Sequence, residues 1–182
     1  YHYNCFKNTK LDVCNVCTLP IEGRYIKDHW GNLSHDAHSG YKTITCDSCS
    51  RIISHKTSNG GIQYSDGRNV CGICQITEIT SDEQINQSKQ RIITQLIEVG
   101  FDYIPNYINV SLSDKKTLHK RLGVSLKENS HGYTKTVIKR ENNKKVYMEN
   151  SIFILYGLPR LKFESILAHE LLHVWLNERD IK

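Results

Sequence analysis

The sequence predicts an α+β chain in two parts: a small first half stapled by side-chain ligands, and a second half of strands backed by helices. Three observations predict it. Four closely paired Cys or His spacings fall between Cys14 and Cys74. Only 38% of the 182 residues are hydrophobic, few for one large core without staples. Beyond Cys74 no cysteine occurs, and apolar residues recur at helix and strand spacing as far as an H-E-x-x-H motif, His169 to His173.

The pairs come first. Tyr1-His2-Tyr3-Asn4-Cys5 has an H-x-x-C spacing. Then follow Cys14-x-x-Cys17, His35-x-x-His38, Cys46-x-x-Cys49 and Cys71-x-x-Cys74. The last four pairs supply eight donors, enough for two closed tetrahedral zinc sites. C-x-x-C spacing of this kind reads as zinc ligation in an intracellular protein rather than as disulfides. Sequential pairing puts Cys14, Cys17, His35 and His38 on one zinc, and Cys46, Cys49, Cys71 and Cys74 on the other. Interleaved pairing, as in RING-type modules, would join the first pair with the third. Sequential pairing is favoured because both loops then have the length of LIM-type zinc ribbons. Gly60-Gly61 and Asp66-Gly67-Arg68 are turn signals around the short strands at Ile62-Gln63-Tyr64 and Val70. Trp30, between ligands, is expected to pack over the first zinc. So little core implies a domain that is unfolded without metal.

The second half opens on a capping-box signal, Ser81-Asp82-Glu83-Gln84. Ile85, Ile92, Ile93, Leu96, Ile97 and Val99 follow at helical spacing, and Gly100 ends the helix. Tyr107 to Leu112 alternates as a strand does. Ser113 is expected to cap a short helix through Leu118 and Leu122, stopped at Gly123. Tyr133 to Arg140 and Lys144 to Met148 read as a hairpin turned at Asn142-Asn143. Ser151 to Leu155 reads as a separate, buried strand, and Gly157-Leu158-Pro159 breaks the chain.

The last helix carries His169-Glu170-Leu171-Leu172-His173. Positions i and i+4 share one helix face, so His169 and His173 can grip one zinc ion. Glu170 lies beside a ligand without being one, where a carboxylate can take a proton from a zinc-activated water. Two buried imidazoles without metal would instead each need hydrogen-bond partners of their own. The strands, backing helix and motif helix together read as a zincin-like peptidase half-domain. Ile152, Phe153, Ile154 and Leu155 are expected to form the edge strand that receives a substrate backbone. The apolar face of the final helix, through Leu167, Leu171, Val174 and Trp175, is expected to be partly exposed.

Lys135, Lys139, Arg140, Lys144 and Lys145 form the densest basic cluster, which reads as a solvated hairpin tip. The formal charge of +5 permits an acidic partner and does not demand nucleic acid. No apolar run approaches the roughly 20 residues needed to span a bilayer.

The run Ile152-Phe153-Ile154-Leu155-Tyr156-Gly157-Leu158-Pro159-Arg160-Leu161, leading into Ser165 to His173, resembles the ubiquitin-activated LIM peptidases that limit organ size in plants, and their bacterial relatives. The resemblance covers nearly the whole chain. The spacing from Cys14 to Cys74 is similar to that family's LIM-like domain, including the long gap between His38 and Cys46. His35 stands where the family often has Cys, and both donors suit zinc. Tyr1 to Cys5 resembles the end of a preceding LIM domain, with His2 and Cys5 as the rest of a truncated site.

The resemblance implies an order of parts: a LIM remnant over 1–12, a LIM-like domain with two structural zincs over 13–80, and a truncated zincin-like peptidase domain over 81–182. It implies a catalytic zinc on His169 and His173, with Glu170 as general base. It also implies regulatory protein substrates in the cytoplasm, and ubiquitin or ubiquitinated proteins as partners. No acidic ubiquitin-interacting helix stands in this chain. The family's third zinc ligand is a Glu on a later helix. A metzincin would need a glycine and a histidine where Leu176 and Arg179 stand, and Glu178 is off the ligand face. The third ligand is therefore expected beyond Lys182, and the chain alone is expected to be inactive. Two other readings are open: a LIM-type interaction adaptor with a non-catalytic peptidase-like half, and a zinc-ribbon nucleic-acid binder.

Overall fold

In the computed structural model, residues 2, 10–105, 107–122, 130–142 and 144–181 are described; Cys5, Gly123 and Asn143 lie outside them. The chain divides into two units, Tyr1–Thr77 and Glu78–Lys182.

Among its described residues, the first unit holds three antiparallel two-stranded ladders and the two short helices that accompany the third ladder. β1 (Tyr25–Lys27) pairs with β2 (Leu33–His35), β3 (Ala37–His38) with β4 (Tyr41–Lys42), and β5 (Gly61–Gln63) with β6 (Asn69–Cys71). α1 (His55–Ser58) precedes β5, and α2 (Gly72–Ile76) follows β6. Strands this short cannot bury much apolar surface, and here sulfur fills the core. Cys46, Cys71 and Cys74 are buried with Val70, and Ile53 and Tyr64 pack against them. Gly61 is needed for close approach: a Cβ there would lie 2.7 Å from the Val70 carbonyl oxygen.

Polar side chains tie the ladders together. The Asp28 carboxylate accepts from the main-chain N–H groups of Trp30 and Asn32 and, 24 residues on, from Ile52 N–H at 3.0 Å. Asn15 brackets Leu33: its N–H donates to the Leu33 carbonyl, and its side-chain oxygen accepts from Leu33 N–H, each at 2.7 Å. This arrangement corrects the expectation for Trp30. The indole is 55% exposed, donates from Nε1 to the Cys49 carbonyl, and is capped by the Arg51 guanidinium at 4.1 Å. Trp30 therefore lies against the second cysteine turn. The Asp28–Ile52 bond carries its loop there.

In the second unit, α3 (Asp82–Glu98) starts on the capping box: Ser81 Oγ accepts from Gln84 N–H, and Gln84 reaches back to Ser81 N–H. β7 (Asn109–Ser113) leads into α4 (Lys115–Leu122). The cap of α4 is Asp114 and not Ser113, because Thr117 N–H donates to the Asp114 carboxylate at 2.8 Å. β8 (Gly132–Glu141) and β9 (Lys144–Leu155) form a long hairpin, and α5 (Arg160–Glu178) closes the unit.

The sheet order is β7-β9-β8, with β9 parallel to β7 and antiparallel to β8. Two expectations are corrected here. Lys144–Met148 and Ser151–Leu155 are one continuous strand. And Ile152, Phe153, Ile154 and Leu155 lie in the central strand, where neighbours on both sides use the backbone groups that a substrate would need. Ile152 and Ile154 are fully buried, as a central strand's core-facing side chains should be. The strand beside α5 with an unpaired side, among the described residues, is β8.

The core joins Ile85, Ile92 and Ile93 of α3, Ile152 and Ile154 of β9, and Phe163, Leu167, Leu171 and Val174 of α5. The expectation of a partly exposed α5 face is overturned for Leu167, Leu171 and Val174, which are fully buried together with Phe163 because α3 and the sheet cover them, whereas Trp175 is only partly buried. Each of the four fully buried side chains contributes about 1.5–3 kcal/mol by burial. Trp175 packs edge-on against Phe101, with ring centroids 5.2 Å apart. Among the described residues, no helix is long and apolar enough to cross a membrane.

Candidate metal centres and candidate active site

Two tetrads of donors converge in the first unit: Cys14, Cys17, His35 and His38, and Cys46, Cys49, Cys71 and Cys74. Within each, all ligand atoms lie within 4.8 Å of one another. The grouping follows chain order. Both tetrads open on the same turn. Cys14 N–H donates to the Leu19 carbonyl and Thr18 N–H to the Cys14 carbonyl; Cys46 with Arg51 and Ser50 repeats both bonds. Thr18 and Ser50 take positive φ, 64° and 61°, to close these turns. The remaining donors come from strand ends and α2, so the hairpins exist to present ligands.

The distances suit zinc. A tetrahedron with Zn–S of about 2.3 Å has S···S edges of about 3.8 Å, and mixed S···N edges of about 3.6 Å. Cys46 to Cys74 measures 3.8 Å and Cys49 to Cys71 measures 3.7 Å, while Cys14 to His38 Nε2 is 3.2 Å and Cys17 to His35 Nδ1 is 3.4 Å. The charge state of the thiols points the same way. Burial opposes the Cys14 thiolate, but N–H groups of Cys17, His35 and Val16, with the His38 ring, outweigh it and bring the thiol down to about 5. Burial also opposes the Cys46 thiolate and is outweighed by main-chain donors. Burial, reinforced by the charge on Cys46, pushes Cys71 and Cys74 up. Four clustered thiols cannot all ionise beside one another without a cation, and a dication removes that conflict.

Both histidines are fixed by partners that the sequence does not reveal. His35 Nε2 lies 3.2 Å from the Pro20 carbonyl, which can only accept, so Nε2 carries the proton and Nδ1 keeps its lone pair for metal. Thr43 Oγ1 donates to the His35 carbonyl at 2.7 Å and so accepts from His38 Nδ1 at 3.2 Å, leaving Nε2 for metal.

In the second unit, His169 and His173 project from the exposed side of α5 with Nε2 atoms 3.1 Å apart. Two nitrogens on a tetrahedral zinc, at about 2.0–2.1 Å each, stand about 3.3 Å apart, so this pair fits half a zinc site. Glu170, the next residue along α5 after His169, is 6% exposed. Its Oε2 accepts from Thr134 Oγ1 at 2.6 Å. Among the described residues, no third metal-binding side chain joins His169 and His173. Glu178 instead accepts from Asn150 Nδ2 at 3.2 Å.

Two open depressions flank Glu170, of about 400 Å³ and 350 Å³, and both are lined by Gly132, His169 and Glu170. One extends past His131 and Ser165, the other past Tyr133, His173 and Asn177. They form one groove between the outer edge of β8 and α5. Ile152 to Leu155 do not line it. Sequence reasoning missed Gly132 and Thr134 in this groove, because a strand's own pattern carries no sign of which helix residue it will face.

Fold and donors together define a mixed α/β protein with a LIM-like region able to hold two zinc ions. The chain belongs to the DA1-like family: the family model, described as Protein DA1, matches residues 53–180. It is similar to Protein DA1-related 2 of Arabidopsis thaliana, 26% identical over 213 residues that cover 97% of this chain and 39% of that protein. It is also similar to LIM domain-containing protein HDR3 of Oryza sativa subsp. japonica, 24% identical, with 97% and 41% covered. Protein DA1 of Arabidopsis thaliana is 23% identical, with 97% and 39% covered. The chain thus spans about two fifths of the length of these relatives. No solved structure matches it.

Proposed function

We propose that this chain carries the structural zinc module and the catalytic helix of a zinc metalloendopeptidase that cuts regulatory protein substrates. The observation that carries the reading is the setting of Glu170: a buried carboxylate, adjacent in sequence to His169 and three residues before His173, on the floor of an open groove. A zinc ion held by His169 and His173, with a third ligand, supplies a polarised scissile carbonyl and an acidified water. Glu170 takes a proton from the attacking water and returns it to the leaving amine.

The outer edge of β8 aligns the substrate main chain by strand addition. Leu155 N–H donates to the His131 carbonyl, so alternation along an antiparallel pair turns the main-chain groups of Gly132 and Thr134 outward, into the groove. Clustered free thiols suited to zinc favour the reducing cytoplasm. Ubiquitin or ubiquitinated proteins are the partners that the family resemblance implies.

The test is Glu170→Gln in the complete protein. Cleavage should be abolished while zinc content is unchanged, because Glu170 moves a proton and is not a ligand. One observation favours a second reading: the described residues give only two donors at His169 and His173. An adaptor with a non-catalytic peptidase-like half would keep zinc in both tetrads, hold none at His169 and His173 in the complete protein, and cut nothing.

A further inference from the structure

We infer that β8 sets the position of the Glu170 carboxylate: Thr134 ties down one oxygen, and Gly132 leaves the space that the other occupies. The inference rests on the peptidase reading of this site and assigns to it two positioning residues. Thr134 Oγ1 donates to Glu170 Oε2 at 2.6 Å and also faces the Glu170 main-chain carbonyl at 3.2 Å. A Cβ at Gly132 would lie 2.8 Å from Glu170 Oε1, 3.2 Å from its Cγ and 2.5 Å from Ile166 Cγ2. Gly132 sits within a strand without positive φ, so space and not backbone freedom requires glycine there.

Gly132 and Thr134 are two residues apart and so lie on the same face of β8, the face against α5. Between them they determine which carboxylate oxygen is engaged and which is open. Oε2 is bound to the strand, and Oε1 lies over the glycine, where the two depressions meet. A general base must stand within hydrogen-bond reach of the proton that it takes. A side chain with three free torsions meets that demand only if something fixes it. The outward main-chain groups of the same two residues also face the groove, so one strand segment would align the base and the substrate together.

The test uses the complete protein and the quenched fluorescent peptide that the wild type cuts fastest from a random library. Thr134→Val should lower kcat by about 10- to 100-fold, since small misplacements cost that much, with KM and zinc content unchanged. Thr134→Ser, which restores a hydroxyl, should recover most of the lost rate; a packing role alone would not give that recovery. Gly132→Ala, pressing on Oε1 from the other side, should lower kcat as well. If Thr134→Val does not fold, Gly132→Ala and Thr134→Ser carry the test. Crystal structures of the variants read the same claim without turnover: the carboxylate should leave β8 in Thr134→Val and stay in Thr134→Ser. Wild-type kcat in folded Thr134→Val and Gly132→Ala, or an unmoved Glu170 in those crystals, overturns the inference. Full activity of Glu170→Gln would instead overturn the peptidase reading, so the two failures are told apart.

Discussion

The Nε2 atoms of His169 and His173 stand 3.1 Å apart, one turn from each other on α5, with their rings crossed at 89°. Two imidazoles so placed make half of a zinc site, while each tetrad in the first unit supplies four donors. Affinity should follow donor number. Titration of the 182-residue chain with zinc against a chromophoric chelator should give two tightly held ions and a third, weaker one. His169→Ala or His173→Ala should abolish the weak step and leave the other two. A weak step that survives both substitutions would remove these histidines from metal binding.

Thr43 offers a test of the first tetrad that touches no ligand. Its hydroxyl holds His38 Nδ1 and the His35 carbonyl at once. Thr43→Val keeps the shape and removes both bonds, so His38 loses the partner that selects its tautomer. Zinc affinity at this tetrad should fall about 10- to 100-fold, the usual cost of losing a partner behind a metal ligand. The all-cysteine tetrad should be unaffected, which gives an internal control in the same titration. Equal loss at both sites would mean that the unit as a whole had been destabilised.

Features carried by neighbours in sequence were legible, and features carried by neighbours in space were not. Paired ligands announce themselves because each turn is made within a few residues, and the capping box at Ser81 is local in the same way. H-E-x-x-H needs only helix periodicity to bring two imidazoles together. The place of Ile152 to Leu155 in the sheet was misread because strand order is written nowhere in a strand's own residues. A β-branched apolar run signals burial, and burial on both faces belongs to the centre of a sheet. The bond from Thr134 to Glu170 spans 36 positions, and that from Asp28 to Ile52 spans 24. Nothing in either segment names its partner.

Asp102 should make the end of α5 sensitive to acid. Its carboxylate accepts from Arg179 and from Trp175 Nε1, and the Arg179 guanidinium lies 4.3 Å above the Trp175 ring. The Arg179 hydrogen bond, then that of Trp175, holds the Asp102 carboxyl below its ordinary value. A depressed folded-state pKa contributes stability that is present above the unfolded value of about 3.9 and is lost as pH falls through the folded one. Trp175 fluorescence, read in a Trp30→Phe background, should therefore hold steady down to about pH 4 and change below it. Asp102→Asn should remove that transition. An unchanged acid transition in Asp102→Asn would show that another group controls the indole.

The edge of β8 makes a prediction that needs no turnover. Gly132 and Thr134 turn their N–H groups away from β9, while Tyr133 and Lys135 turn theirs toward it, by the alternation that the His131–Leu155 bond sets. In the free protein the amides of Tyr133 and Lys135 should exchange with solvent slowly, and those of Gly132 and Thr134 quickly. A peptide that adds as a strand must take hydrogen bonds from the second pair. In the Glu170→Gln variant, a cleavable peptide held uncut should slow exchange at Gly132 and Thr134. It should leave the amides of Ile152 to Leu155 unchanged, because the neighbours of β9 already hold them. Slowing at β9 with none at β8 would return the substrate to the central strand. That outcome would require the sheet to open, and the fully buried Ile152 and Ile154 argue against an opening of that kind.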